Sequence, residues 1–410
     1  MRLLLAATFA ALAVPAVAQV SLIDNDGKTR KGRDIVISAS GEITVLTDGE
    51  PFKAKLDEVS EIVYETRPIG GGCPWEVHLA TANPRCRDIV PGTIEDPTDD
   101  SKIRMVATDA GDVEFPLDFA YALRKTSSQL AVPETAPPVD TVTWSRDNKQ
   151  DRDKGSLMRL GKDTLDLDSE TYRNLRTYKL ADVDGVHLAP GNKAVVPEGV
   201  LVVVTTKRGL RVTGKVLEMT EKICRVETTH RIKGKPWELS IQADKVASLQ
   251  VMNGNLAYLS DMNPKLLETW HDGIENIDAR PDGSDKLFLD RGVARNAPIA
   301  IRGKAYRKGI ASKKHVEIAI ELGGVYAKFT AAAGVLDEVQ ATGEADPKIR
   351  FIVKGDGKEL WRSEALSCDS AIQPVALDVK GVKTLVLSVE TDDLLDMLIC
   401  AGWGDARVVK

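Results

Sequence analysis

The chain is poor in the residues that most function classes require. Of its 410 residues only five are cysteine and five histidine, and aromatics make up 5%. Positive charge is not in excess: 55 Lys and Arg stand against 61 Asp and Glu, for a net charge of −6. That balance argues against nucleic acid as a partner, which calls for a basic face. After residue 18 no run reaches the about 20 apolar residues that a membrane helix needs. None of the histidines (His78, His187, His230, His271, His315) falls in an HExxH metal motif, and no G-x-S-x-G elbow occurs. Gly70-Gly71-Gly72 lacks the Lys-Ser/Thr that completes a phosphate loop. A glycosidase needs two carboxylates held about 5 to 9 Å apart, and no pair is marked among the many present. The expectation is a protein that is not an enzyme.

The few cysteines are too sparse for a disulfide scaffold. Cys73 and Cys86 lie in a Gly/Pro-rich stretch with little core of its own. A bridge between them would close a short loop and contribute about 3 kcal/mol. That disulfide is preferred here over two free thiols, with a metal site third because no Cys/His pairs have zinc spacing. Cys224, Cys368 and Cys400 sit in or beside apolar runs and read as small buried hydrophobes.

What is present begins with an export signal. Arg2 supplies a positive start, Leu3 to Val14 form an uncharged apolar run, and Ala16-Val17-Ala18 offers a small-x-small cleavage site. Residues 1–18 are read as a signal peptide, so the protein is expected to be secreted or periplasmic, with no transmembrane segment after cleavage.

From there to about residue 250, short β-branched runs alternate with turn residues and helical periodicity is absent. A divergent repeat is visible: a Gly opens a strand, two strands follow, and an acidic turn precedes a closing strand reading Val-x-x-aliphatic. The three units run Gly32 to Val59, Gly155 to Val183 and Gly214 to Val246, spacings of 27, 28 and 32 residues. Four or five strands curled on themselves bury a face that fewer cannot, so each unit is expected to be an SH3-like or Sm-like small barrel. The expected division is unit one over 19–130, with an insertion holding both Cys73 and Cys86, then a linker over 131–150. Unit two covers 151–195, unit three 196–253, and a last domain 256–410.

The last domain has longer strands. Gly355-Asp356-Gly357-Lys358 between Phe351-Ile352-Val353 and Leu360-Trp361 is a strong hairpin signal, because both central residues can take φ > 0. Regularly spaced strands without long helices imply a β-sandwich or jelly roll, making the whole chain all-β. Several stretches in this domain occur in order: Tyr258-Leu259-Ser260-Asp261, Gly303 to Ile310, Val316 to Leu322, and Gly324 to Phe329. Ala333 to Glu338, Val353 to Trp361 and Trp403 to Ala406 follow them. The domain thereby resembles the NPCBM carbohydrate-binding modules first noticed beside family 98 glycoside hydrolases. The resemblance implies a galactose-binding-like jelly roll and, by association, sugar recognition. Three positions depart from the family pattern: Lys313 stands near its usual His, Leu336 replaces an acidic residue, and Cys400 lies in its acidic approach to the last Trp.

A sugar site needs a flat apolar face and polar groups for the hydroxyls. Trp361 and Trp403 read as core. Trp270 and Tyr306 sit among polar residues and are the candidate platforms, with Lys308, His315 and Asp337 as polar partners. Asp392, Asp393 and Asp396 could hold a structural calcium, but they lack the spacing of a calcium loop and read as a solvated acidic turn. No other cofactor is expected, and the metal site stays unassigned.

The expected function is a secreted, non-catalytic protein that binds a glycan or cell-surface polysaccharide through its C-terminal jelly roll. The alternatives are a periplasmic or surface scaffold in which that domain binds protein, and an accessory subunit of a glycoside hydrolase. Sugar binding predicts an exposed aromatic beside polar residues in one loop-end depression. Protein binding predicts a broad apolar patch or an open sheet edge.

Overall fold

The computed structural model describes residues 19–65, 72–81, 88–132, 136–146, 149–191, 194–195, 198–269, 287–294, 297–313, 316–340, 348–391 and 400–410. Two hydrophobic cores organise them, one drawing on residues from Val20 to Val251 and the other on residues from Ala257 to Val408.

The first core is shared by four small units of one design. The first unit begins with Val20–Asp24, which pairs with both Thr29–Gly32 and the closing strand Val59–Tyr64. After a bend at Arg33, Asp34–Ile37, Glu42–Leu46 and Phe52–Lys55 form an antiparallel meander, and the turn Leu56–Glu58 leads into the closing strand. The second unit repeats the order with Trp75–Leu79, Asp88–Glu95, Lys102–Thr108, Gly111–Pro116, turn Leu117–Phe119 and Ala120–Lys125. In the third unit the strands are Asp140–Arg146, Lys149–Leu160, Thr164–Ser169 and Asn174–Lys179, then turn Leu180–Asp182 and Gly185–His187. Val202–Thr206, Arg211–Met219, Ile223–Ile232 and Lys235–Gln242 build the fourth, closed by turn Ala243–Lys245 and Val246–Val251.

The count differs from the sequence expectation. The stretch read as an insertion in unit one supplies the first two strands of a separate unit. Part of the 131–150 linker, Asp140–Arg146, is the first strand of the third unit. Each first strand pairs with a closing strand some forty residues on, and local periodicity does not reveal such a partner. Cys73, on the approach to the second unit, is buried, and Arg208 Nη2 donates to its Sγ at 3.3 Å. It has no cysteine partner among the described residues, and Cys86 lies outside them.

One glycine recurs at the same place in every unit: Gly32, Gly92, Gly155 and Gly214. A Cβ there would lie 2.0 to 2.8 Å from a carbonyl oxygen of the adjacent strand, at Leu46, Val106, Asp168 and Glu227 respectively. The second strand curls over its neighbour at this point, and only a residue without a side chain permits the approach.

The units couple through their closing strands. Val59–Tyr64 pairs antiparallel with Val246–Val251, centred on Ile62 opposite Leu249. Ala120–Lys125 pairs with Gly185–His187, centred on Leu123 opposite Val186. Each central residue is three beyond the first residue after its turn, so both couples are related by a local two-fold at that aliphatic position. All four side chains are 0–1% exposed.

Where the second unit meets the fourth, Ile89 bridges Arg211, and the Asp88 side chain is fully buried. Its Oδ1 accepts hydrogen bonds from the Thr213 N–H at 2.8 Å and the Thr213 hydroxyl at 2.7 Å. Burial outweighs these bonds and raises the carboxyl pKa from 3.8 to about 7. The folded state therefore holds this proton more tightly than the unfolded chain. The stabilisation is complete below pH 3.8 and is lost as pH rises through about 7. Asp88→Asn is expected to flatten the stability–pH curve across that window in urea titrations; an unchanged slope would mean Asp88 does not titrate there.

The second core lies between two antiparallel sheets. One runs Leu287–Leu289, Gly309–Lys313, Cys400–Val409, Lys328–Val335, Gln373–Asp378, with Leu256–Tyr258 also on Cys400–Val409. The other runs Lys265–Thr269, Val316–Glu321, Thr384–Thr391, Ile349–Gly355, Lys358–Arg362. A small hairpin, Ile299–Ile301 with Lys304–Tyr306, closes one side. Trp403 is fully buried between the sheets, edge-on to Phe351 at 5.0 Å between ring centroids. The jelly-roll expectation holds, as does the hairpin at Asp356-Gly357, where φ is 48° and 81°.

The sandwich is seated on the first unit. Asn255 N–H donates to the Asp57 carbonyl at 3.0 Å, and the Arg307 guanidinium pairs with the buried carboxylate of Glu61.

Candidate functional site

The candidate residues from sequence do not come together. Tyr306 is 7% exposed, and its ring covers Gly404, where a Cβ would lie 2.6 Å from the ring. The expected stacking platform is thus a core residue: Tyr306 ends its strand on an inward position, after exposed Lys304 and Ala305. Lys308 is likewise internal. Its ammonium lies between Asp261 and Asp290, 2.8 Å from each, with the Tyr258 ring 5.8 Å away. Burial opposes the charged form, but the two carboxylates outweigh it and raise the Lys308 pKa. Asp290, at φ 57°, also accepts from the Gly309 N–H at 3.1 Å. This triad locks the loop around Asp290 to the strand at Gly309 and commits two of the three Lys308 N–H donors inside the domain. Trp361 is half-buried against Trp403, as expected of core. Trp270, His315, Asp392, Asp393 and Asp396 lie outside the described residues.

Asp337 is half-buried at one end of the sandwich. It opens the short helix Asp337–Gln340 that follows the strand Lys328–Val335. Its Oδ2 accepts from the Gly303 N–H at 2.8 Å, in the tight turn Arg302-Gly303 where φ is 51° and 74°. Its neighbour Glu338, which the sequence reading did not single out, accepts from the Val293 and Ala294 N–H groups at 3.0 and 2.9 Å. In each carboxylate the second oxygen, Asp337 Oδ1 and Glu338 Oε1, is buried and has no hydrogen-bond partner among the described residues. Exposed Arg302 lies beside them, its Nη1 3.2 Å from the Asp369 carboxylate. The only signal for Glu338 was its place in the motif beside Asp337.

The three departures from the family pattern meet at this same end. Lys313 is the cross-strand partner of Cys400, and the Leu336 N–H donates to the Cys400 carbonyl at 3.0 Å. Leu336 is 1% exposed and fills the space over Gly402, where a Cβ would come within 2.5 Å of it. Lys313 is exposed. An apolar plug therefore stands where the family pattern has polar groups, with one added cation at its rim. Among the described residues no three His, Cys, Asp or Glu converge to hold a metal.

Residues 256–409 match the NPCBM/NEW2 domain family. The C-terminal sandwich is an NPCBM domain. No curated protein matches the chain. Among solved structures it is similar to the CBM51 module of a Clostridium perfringens GH95 protein, described in complex with methyl-galactose. The identity is 23%, covering 38% of this chain and 99% of that one, with a TM-score of 0.31. Tandem CBM51 modules of a family 98 glycoside hydrolase from Streptococcus pneumoniae match at 12% identity, 95% and 88% coverage and a TM-score of 0.31. The sandwich that matches this family model follows the four small β-units in the chain.

Proposed function

We propose that this is a secreted, non-catalytic protein that binds a glycan at the end of the NPCBM domain carrying Arg302, Lys313, Asp337 and Glu338. The observation behind this reading is the pair of carboxylates. Each has one oxygen fixed by backbone N–H groups and another left without a described partner. The unpartnered oxygens are buried, so they would accept from a sugar hydroxyl only once the Arg302-Gly303 turn moves aside, while exposed Arg302 and Lys313 donate to ring and hydroxyl oxygens. Binding at so open a surface is shallow, and the four units act as a spacer or a second interaction surface.

The test is a glycan array probed with residues 19–410, beside an Asp337→Ala, Arg302→Ala double variant. Selective binding that falls about tenfold or more in the variant, the loss of two good polar contacts, is expected. A blank array with folded protein contradicts the reading.

Protein docking is the second reading, and a specific observation favours it. The strand ahead of the closing turn in every unit (Phe52–Lys55, Gly111–Pro116, Asn174–Lys179, Lys235–Gln242) has one strand partner among the described residues, leaving an edge open. The third unit also exposes Met158, Tyr172 and Leu175, at 54%, 51% and 62%.

A further inference from the structure

The two couples of small units enclose grooves at equivalent places. Between the first and fourth units a groove of about 750 Å³ is lined by residues 39–42, the turn Leu56–Glu58 and Lys215-Val216, which directly follow Gly214. Between the second and third units a groove of about 730 Å³ is lined by residues 99–101, the turn at Leu117-Asp118 and Leu157-Met158, just past Gly155. The elements correspond; the charges do not. The first groove mixes Lys53, Lys55 and Lys215 with Glu42, Asp57 and Glu58. The second is lined by Asp99, Asp100, Asp118 and Asp140 and, among the described residues, by no Lys or Arg.

Two of those carboxylates hold the walls. Asp140 accepts from the Leu157 and Ala189 N–H groups, both at 2.7 Å, and Asp99 accepts from the Ser101 N–H at 2.8 Å. Asp100 is reached from the rim by Arg159 at 3.3 Å. Asp118 is exposed and has no ion pair among the described residues. Beside Ser101, the larger side chains of the lining are apolar: Pro116, Leu117, Leu157, Leu188 and Met158. Met158 falls at a bulge in the pairing of its strand with Thr164–Ser169, between Leu157 and Arg159, and is 54% exposed. A flexible thioether at a bulge adapts its shape to a partner.

We propose that this groove docks an extended cationic segment of a partner protein. Lys or Arg heads meet Asp99 and Asp118, while their aliphatic stems lie over Met158 and Leu117. The commitment to a cationic polypeptide follows from charge complementarity with a groove that is acidic and apolar at once. It does not depend on the glycan reading, since it lies on the small units and not on the NPCBM domain.

The experiment follows a fluorescein-labelled (Lys-Val)4 peptide by anisotropy against residues 19–410 at low and high salt, with (Glu-Val)4 as the counterpart. The lysine peptide is expected to bind and to weaken as salt screens the contact, and the glutamate peptide not to bind. An Asp118→Asn, Met158→Ser variant, altered only at exposed positions, should lose about tenfold in affinity or more. Glu42→Gln in the sister groove, which removes one negative charge from a chain of net −6, should change nothing. Absent binding, or equal losses in the groove variant and the control, would overturn the proposal by reducing it to bulk charge. Sedimentation velocity closes the remaining route: a dimer dissolved by the groove variant would assign the groove to a second copy and overturn it too.

Discussion

Lys308→Ala is expected to lower the unfolding free energy of the C-terminal core by about 3–5 kcal/mol, the cost of leaving a buried and a half-buried carboxylate without their counter-charge. The side chain is 9% exposed and is shared by Asp261 and Asp290, so the truncation strands two carboxylates at once. Urea unfolding at neutral pH measures the loss. The companion variant Lys308→Met with Asp261→Asn removes one charge of each sign and keeps the volume. It should recover much of the stability, because a well-packed replacement for a buried ion pair is often neutral. A single variant as stable as the parent would show that the triad is solvated. It would also return Lys308 to the set of groups free to meet a ligand.

The second large effect is expected at the two-fold between the first and fourth units. Ile62 and Leu249 are cross-strand partners, each fully buried. Ile62→Ala and Leu249→Ala should each cost about 2–5 kcal/mol, through lost burial and the cavity left behind. Because the two residues share one site, the double variant should differ from the sum of the singles by about 0.5–3 kcal/mol in a double-mutant cycle. Additive losses would mean that the first and fourth units unfold independently, against the shared core.

Much of this architecture was legible in the sequence, and the omissions have physical causes. The closing-strand pattern Val-x-x-aliphatic was visible, and its aliphatic position is the residue on each two-fold. The recurrent glycine was visible in three units. The fourth copy is Gly92, 28 residues before Ala120, with the turn Leu117-Asp118-Phe119 between them as in the other units. It was hidden because Ala120 replaces the usual Val and because Gly70 to Cys86 draws the eye to turns and cysteines. The first strands were missed for a different reason. Thr141-Val142-Thr143-Trp144 alternates well enough, but its partners are distant in sequence, and pairing at that range leaves no local mark.

The site was less legible than the fold. Tyr306 and Lys308 have polar neighbours in sequence, yet the hairpin Lys304–Tyr306 and the strand Gly309–Lys313 turn both side chains inward. Gly404 makes room for the ring, and Asp261 and Asp290 make room for the ammonium. Neither local polarity nor strand parity predicts this, since Lys304 and Tyr306 share one parity and only Tyr306 is buried. Asp337 was singled out in sequence because a family motif marks it, and Glu338 stands beside it in the same motif. That Lys313, Leu336 and Cys400 would meet could be inferred only from the register of Gly309–Lys313 on Cys400–Val409 and of Cys400–Val409 on Lys328–Val335.

The most direct test of the account is hydrogen–deuterium exchange on residues 19–410 with and without the glycan selected on the array. The account predicts slowed exchange at Arg302-Gly303, at residues 311–313, at 335–338 and at 400–402, with the four small units unchanged. Protection confined to the small units, or spread evenly over both cores, would contradict it and move the glycan away from the NPCBM domain.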